Sequence, residues 1–473
     1  MSTINHLGYN AYPASIQTVG SGEVFLAESD TEGTVIVASN GLGFKNTKAG
    51  GGLVTAPLNH ENAEVLRALF PFTAPVPVLR KTRSFGLGDR LGIAGPGHLQ
   101  LCKNYDVYPV LAQQSIRELN LTGRTYEDVL DAASFAVFRE GYTKGFGADG
   151  DHLKTTKDIE YALSLGFSMI TLDCSDHIKT DVTASGAPPL SAAYSEKYLG
   201  KTFDISEQTA ISFSEPDLKR IAGIYSEAIT FAVEIYNRYL KDKQDSVDFE
   251  ISIDETTTPT TPQEHYFVAR ELIDAGVHFV TIAPRFCGEF QKGIDYIGDL
   301  AQFEKEIKIH AVIARHFHYK LSIHSGSDKF SVFPAIGRET GGNFHVKTAG
   351  TNWLLAMRIA AETDPALYRK IHAYALESFG EATKYYHVTT EISRIPDLAS
   401  LKDAELGQLF DQNDARQLIH ITYGLILTKK DADGSYSFRD ALYKLWKKHD
   451  ERYAAALIAH IGKHFDLLGI PKV

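Results

Sequence analysis

The 473-residue chain is poor in the residues that staple small secreted proteins or carry chains through membranes. Its three cysteines, Cys102, Cys174 and Cys287, are too few and too scattered for a disulfide framework or a cysteine-rich zinc site, which points to a reducing compartment. No stretch of about 18 uninterrupted apolar residues occurs, and Met1 to Gly20 has no basic segment followed by an apolar one. The expectation is a soluble, cytoplasmic protein with no membrane partner. Basic residues are in deficit: 48 lysines and arginines against 59 acids leave a net charge of -11. That balance excludes the broad positive field a nucleic acid would need and still permits a local basic pocket for a small anion. A phosphate-cradling Walker loop and a nucleophile elbow are missing too. The Gly86-x-Gly88-x-x-x-Gly92 run is one residue longer than a dinucleotide fingerprint and reads as preceding or overlapping a strand instead of linking a strand to a helix.

What is present is ordinary globular material, 44% hydrophobic and 23% charged. Glu23 to Ser39 reads as two β-branched strands around a polar turn, suggesting a small β-rich lobe over residues 1–80. After it, short apolar strands alternate with amphipathic helical stretches. The strands are DRLGIA (from Asp89), VYPVLAQQ (Val107), GFGADGDHL (Gly145), FSMITLDC (Phe167), VDFEISIDE (Val247), HFVTIAPRF (His278), YKLSIHSGS (Tyr319) and NFHVKTAG (Asn343). Eight such units in a row predict a closed (β/α)8 barrel over residues 81–400, with an insertion at about 176–245 and a helical extension over 401–473. An open doubly wound sheet is the alternative.

Active sites of such barrels lie at the carboxyl ends of the strands, and period-two alternation selects the inward side chains. In the fifth strand Phe249, Ile251 and Ile253 face the helices, which sends Glu250, Ser252 and Asp254 inward. The same reading turns Ser322 and His324 inward in the seventh strand and His345 and Lys347 in the eighth. The fourth offers Thr171 and Asp173, the sixth ends in Arg285, and the third ends in Asp151-His152. Any one of these alone is more often a hydrogen-bonded core residue or half of a structural ion pair. Together on one rim they are costly unless paired, liganding or catalytic. Imidazoles with carboxylates suit Zn²⁺, Mn²⁺, Fe²⁺ or Ni²⁺ alike.

The segments SFGLGDRLGIAGPGH (Ser84 to His98), GFGADGDHLKT, TLDCSDH, SIDETTTPTTP, LSIHSGSDKFS and HVKTAGTNW resemble the tagaturonate epimerase family of bacterial hexuronate breakdown, from about Ser84 onward. A fainter similarity to class II metal-dependent aldolases rests on Asp151-His152 and His324-Ser325-Gly326-Ser327. It is limited by the missing histidine at Ala283-Pro284-Arg285 and by Asp328-Lys329 in the phosphate-binding turn. The resemblance implies a ketohexuronate substrate and a divalent metal. It makes His152 and His324 metal ligands, with His345 or Glu289 completing the set, and Asp151 and Asp254 the acid/base pair. Lys347, Arg285, Ser325 and His98 are its substrate-binding candidates, with Lys329 and Arg338 behind them. The reaction it implies is epimerisation at C3 by retro-aldol cleavage and re-addition, in a chain that could form a homo-oligomer. An aldolase or ketohexose 4-epimerase using the same site, and a non-catalytic sugar-acid-binding barrel, are the competing readings.

Overall fold

The computed structural model describes residues 3–29, 31–50, 52–183, 185–205 and 209–473. Its amino-terminal part is a seven-stranded antiparallel sheet built around the Gly22–Ser29 and Gly33–Ser39 hairpin. Both faces of that hairpin are apolar. Val24, Leu26, Ile36 and Ala38 pack on one side with Phe135 and Phe138, and Phe25, Ala27, Val35 and Val37 form a separate cluster on the other.

The chain then closes a parallel barrel of eight strands: β1 (Arg83–Leu87), β2 (Tyr108–Ser115), β3 (Gly147–Leu153), β4 (Met169–Asp173), β5 (Asp248–Ile253), β6 (Thr281–Pro284), β7 (Lys320–Ile323) and β8 (Phe344–Thr348). Each pairs with its neighbours in sequence, and β8 pairs back to β1. The closed order decides between barrel and open sheet in favour of the barrel. Seven strands lie where the apolar pattern puts them. The first is displaced: the strand is Arg83–Leu87, and the expected DRLGIA stretch is a loop. Asp89 folds that loop by accepting from the backbone N–H groups of Leu91 (3.0 Å) and Ala94 (2.6 Å). Gly92 at φ 73° then turns the chain into helix Gly95–Cys102, which has proline in its first turn, so the Gly86–Gly92 run does join a strand to a helix, contrary to its reading from the sequence.

Between β4 and β5 the insertion carries a small hairpin, Thr202–Asp204 with Ala210–Ser212, and the long helix Glu215–Ile235. Beyond β8, helices Thr351–Thr363, Pro365–Ala382, Asn413–Ile421, Arg439–Lys448 and Asp450–Leu467 share their own core around Trp353, Tyr368, Tyr423 and Trp446. Both indole N–H groups are satisfied there, by the carbonyls of Ile419 (2.7 Å) and Ala356 (2.8 Å). This extension folds back onto the barrel, with Phe465 edge-on to Phe85 of β1 at 5.0 Å. Among the described residues no helix is long and apolar enough to cross a membrane.

Candidate active site

The barrel axis is filled by polar side chains of the inward set, paired strand to strand. In register, Thr171 of β4, Glu250 of β5, Thr281 of β6 and Lys320 of β7 form one layer. Glu250 accepts from Thr281 Oγ1 at 2.6 Å and Thr171 Oγ1 at 3.1 Å. Lys347 of β8 enters above it and meets three buried carboxylates: Asp149 (2.7 Å), Glu250 (3.2 Å) and Asp151. One ammonium shared by three acids is a coupled system. Burial, together with Asp151 and Glu250, lifts Asp149 to about 6 even though Lys347 opposes the shift. Burial opposes ionisation of Glu250 too, but Lys347 and His324 hold it well below the usual carboxylate range. Asp149 therefore holds its proton to a higher pH than an ordinary aspartate does.

At the mouth, His152, Asp254 and His324 each bring a ligand atom to within 4.8 Å of the others. The two imidazole centroids are 4.8 Å apart. Each ring is oriented through one nitrogen by a carboxylate behind it: His152 Nδ1 by Asp151 (2.7 Å) and His324 Nε2 by Glu250 (2.8 Å). Asp254 Oδ1 is fixed by Ser252 Oγ at 2.6 Å. His324 Nδ1 lies 3.1 Å from Asp254 Oδ1, yet it is buried and has no hydrogen bond. Burial disfavours an imidazolium, but Asp151 overrides it and raises His152 to about 10. Asp254 and Glu250 likewise raise His324.

Asp151 and His152 are consecutive, and regular alternation would send them to opposite faces of β3. The strand avoids this by breaking register between Gly150 and Leu153, with His152 at φ 54°. Ser325 and Asp328, in the loop that follows His324, also take positive φ (50° and 62°). Non-glycine residues held in this region cost free energy, and two of these three, His152 and Ser325, line the mouth.

The structure brings together Asp151, His152, Asp254, His324, Ser325, Lys329 and Lys347, all of which line the pocket. Other expected residues lie apart from it. His345 is fully buried lower in the barrel, with Nδ1 bonded to Ser84 Oγ at 3.0 Å. Burial, reinforced by Lys320 and Lys347, lowers its pKa to about 3. Glu289 and Arg285 are surface neighbours at 3.9 Å. Arg338 is exposed and pairs with Glu304 and Glu339. His98, also buried, bonds Asn352 Oδ1 at 3.1 Å. In the place expected for His345 or Glu289, the carboxylate next to His152 and His324 is Asp254.

Several pocket residues carry no signal in strand alternation. Arg90 and Arg117 come from loop and helix, Lys292 from the segment after β6, and Tyr386 and His420 from the carboxyl-terminal extension. Arg90 lies over the Tyr423 ring at 4.0 Å and holds Glu118 through Nε (2.8 Å) and Nη2 (2.5 Å). Gly350 admits His420: a Cβ there would stand 1.9 Å from the imidazole.

A parallel eight-stranded barrel whose carboxyl-end mouth gathers imidazoles, carboxylates and cations defines a (β/α)8 enzyme acting on a small polar molecule. The family model described as tagaturonate epimerase matches residues 12–468, and the chain belongs to that family of isomerases. It is 44% identical to the tagaturonate/fructuronate epimerase of Thermotoga maritima over 98% of this chain and 97% of that protein. It superposes on the crystal structures of fructuronate-tagaturonate epimerase from Cohnella laeviribosi, glycerol-complexed and native, with TM-scores of 0.95 and 0.94. Identity to both is 51%, covering 98% of this chain and 97% of theirs.

Proposed function

We propose that the protein interconverts D-tagaturonate and D-fructuronate at C3, counted from the carboxylate, by retro-aldol cleavage, rotation and re-addition, with a divalent cation held by His152, Asp254 and His324. The observation that carries the cation is the buried His324 Nδ1. It has no hydrogen bond, it sits beside a carboxylate oxygen, and both imidazoles are backed by carboxylates in the manner of metal ligands. A bound cation would supply Lewis acidity toward the negative charge that develops on the substrate's oxygens.

The route follows from the substrate. The ketone is at C5, so the C3 hydrogen is beta to the carbonyl and not acidified by it, and direct proton exchange at C3 faces a high barrier. In the proposed reaction Asp151 takes the C3 hydroxyl proton and the C3–C4 bond breaks. Its electrons pass to the C5 carbonyl, leaving a three-carbon enediolate and a three-carbon aldehyde that keeps the carboxylate. The aldehyde turns by half a revolution, C4 adds to its other face, and the proton returns to the new C3 oxygen. Asp151 is given this role by its place in the mouth beside His152, where Lys347 and His152, against the effect of burial, keep it in the ionised form a base needs. Ser325 and the mouth cations position the substrate and limit water.

Conversion of tagaturonate in D₂O, followed by NMR with the protein as isolated, chelated and metal-restored, tests this. Metal-dependent formation of fructuronate without deuterium at C3 is expected. Deuterium at C3 overturns the mechanism, release of three-carbon products makes the protein an aldolase, and no conversion with metal restored overturns the reading.

A further inference from the structure

Two arginines and three lysines line the mouth, and four of these cations are already engaged. Lys347 is shared by Asp149, Asp151 and Glu250. Lys329 donates to the carbonyls of Ile294 (2.6 Å), Gln291 (2.8 Å) and Ser327 (2.9 Å). Arg90 holds Glu118, and Arg117 lies 3.5 Å from Glu255. Lys292 differs. Its hydrogen bond runs to the neutral Ser325 Oγ at 3.1 Å, and among the described residues no carboxylate stands within ion-pairing distance of it. An ammonium withdrawn from water without a counter-anion is costly and is favoured where a ligand brings the anion.

Its backbone is held from three directions. The Gln291 carbonyl takes Lys329 Nζ, and Gln291 Oε1 takes the N–H and Oγ1 of Thr389, both at 3.0 Å. The Lys292 carbonyl takes Gln417 Nε2 at 3.2 Å, and the Gly293 carbonyl takes Arg416 Nε at 2.7 Å. These anchors fix the ammonium beside Ser325, the residue directly after His324. A group bound near His324 therefore has Lys292 on the same wall. Burial lowers the Lys292 pKa, and Arg90 and Arg117 add to that despite Glu118 and Glu255, a disposition that an arriving carboxylate would reverse.

We propose that Lys292 receives the substrate's carboxylate and thereby sets the site's preference for a ketohexuronate over the neutral ketohexose of the same configuration. The inference rests on the epimerase reading above.

The test compares wild type, Lys292→Gln and Lys292→Arg with tagaturonate and with tagatose, its neutral counterpart. Initial rates are measured alongside calorimetric binding, which needs no turnover. For tagaturonate, Lys292→Gln should raise KM about 10- to 100-fold, the range lost with a charge-assisted hydrogen bond. The loss on tagatose should be at least tenfold smaller, and Lys292→Arg should recover part of the uronate preference. Equal losses on both sugars, or an unchanged KM, overturn the inference and leave the epimerase reading standing. Wild type that binds tagaturonate in a Lys292-dependent way without converting it sinks the epimerase reading and supports the carboxylate role. Wild type that does not bind tagaturonate overturns both.

Discussion

Two groups of one carboxylate and two imidazoles occur among the described residues: His152, Asp254 and His324 at the barrel mouth, and Asp328, His460 and His464 between the loop after β7 and helix Asp450–Leu467. They match in composition and differ in what their polar atoms already do. In the second group Asp328 accepts from Arg416 (2.6 Å), His460 (2.5 Å) and Thr351 (3.3 Å). The Asp328 backbone N–H donates to His464 Nε2 at 3.1 Å, and His464 Nδ1 donates to the His460 carbonyl at 2.9 Å. Asp328 and both nitrogens of His464 are thus committed internally, and Arg416 already supplies Asp328 with a positive partner. At the mouth His324 Nδ1 remains unspent. Proximity of ligand-type residues does not define a cation site. What sets the mouth group apart as the candidate is a ligand atom without a hydrogen bond on a ring that Glu250 orients from behind.

Substitutions can break this contrast, the largest effect first. His324→Ala should lose bound divalent metal, measured by elemental analysis, and about 10³-fold in kcat/KM, corresponding to several kcal/mol of Lewis-acid stabilisation. His460→Ala should keep its metal content. If both variants lose metal equally, or neither does, the distinction between the groups is wrong. Asp151→Asn should retain metal while kcat falls about 10²- to 10³-fold, the scale of a lost proton-transfer group. A metal loss matching that of His324→Ala would place Asp151 among the ligands instead. Asp328→Asn should leave metal content alone and cost about 3 kcal/mol of stability, measured by denaturant titration, because it leaves Arg416 half-buried without its partner.

The pH dependence sharpens the last case. Burial raises the Asp328 pKa, but His460 and Arg416 outweigh it and hold the carboxyl well below its usual value. A depressed folded-state pKa contributes stability that is fully present above the unfolded value, about 3.9, and is lost as pH falls through the folded one. Wild type should therefore lose stability more steeply than Asp328→Asn below about pH 4, and parallel acid limbs would mean that the pairing of Asp328 with Arg416 and His460 does not stabilise the fold.

The barrel was legible in the sequence because its strands are short apolar runs whose alternate positions must be inward. Glu250, Thr171, His324 and Lys347 do meet inside, as alternation requires. Alternation failed wherever the backbone leaves regular geometry. The first strand was displaced because LGIA resembles a strand, while Asp89 and Gly92, which make it a loop, act through side-chain capping and positive φ. His152 reaches the mouth beside Asp151 only through a register break, which no pattern in the sequence announces. His345 has the inward parity expected of a ligand, but it sits one layer deeper than Lys347, and depth depends on strand stagger, which periodicity does not report. Arg90, Arg117, Lys292, Tyr386 and His420 arrive from loops, a helix and the extension, where no period constrains direction.

The seating of His420 against Gly350 has a consequence for how the enzyme comes into being. During vectorial synthesis the eight strands are complete once Thr348 has been added, before Ile461 and Phe465 of the extension arrive to finish the core they share with the barrel. The mouth at that stage still lacks Tyr386 and His420, along with Arg416 and Gln417, which hold the segment carrying Lys292. A nascent chain can thus hold all eight strands well before it holds a complete mouth.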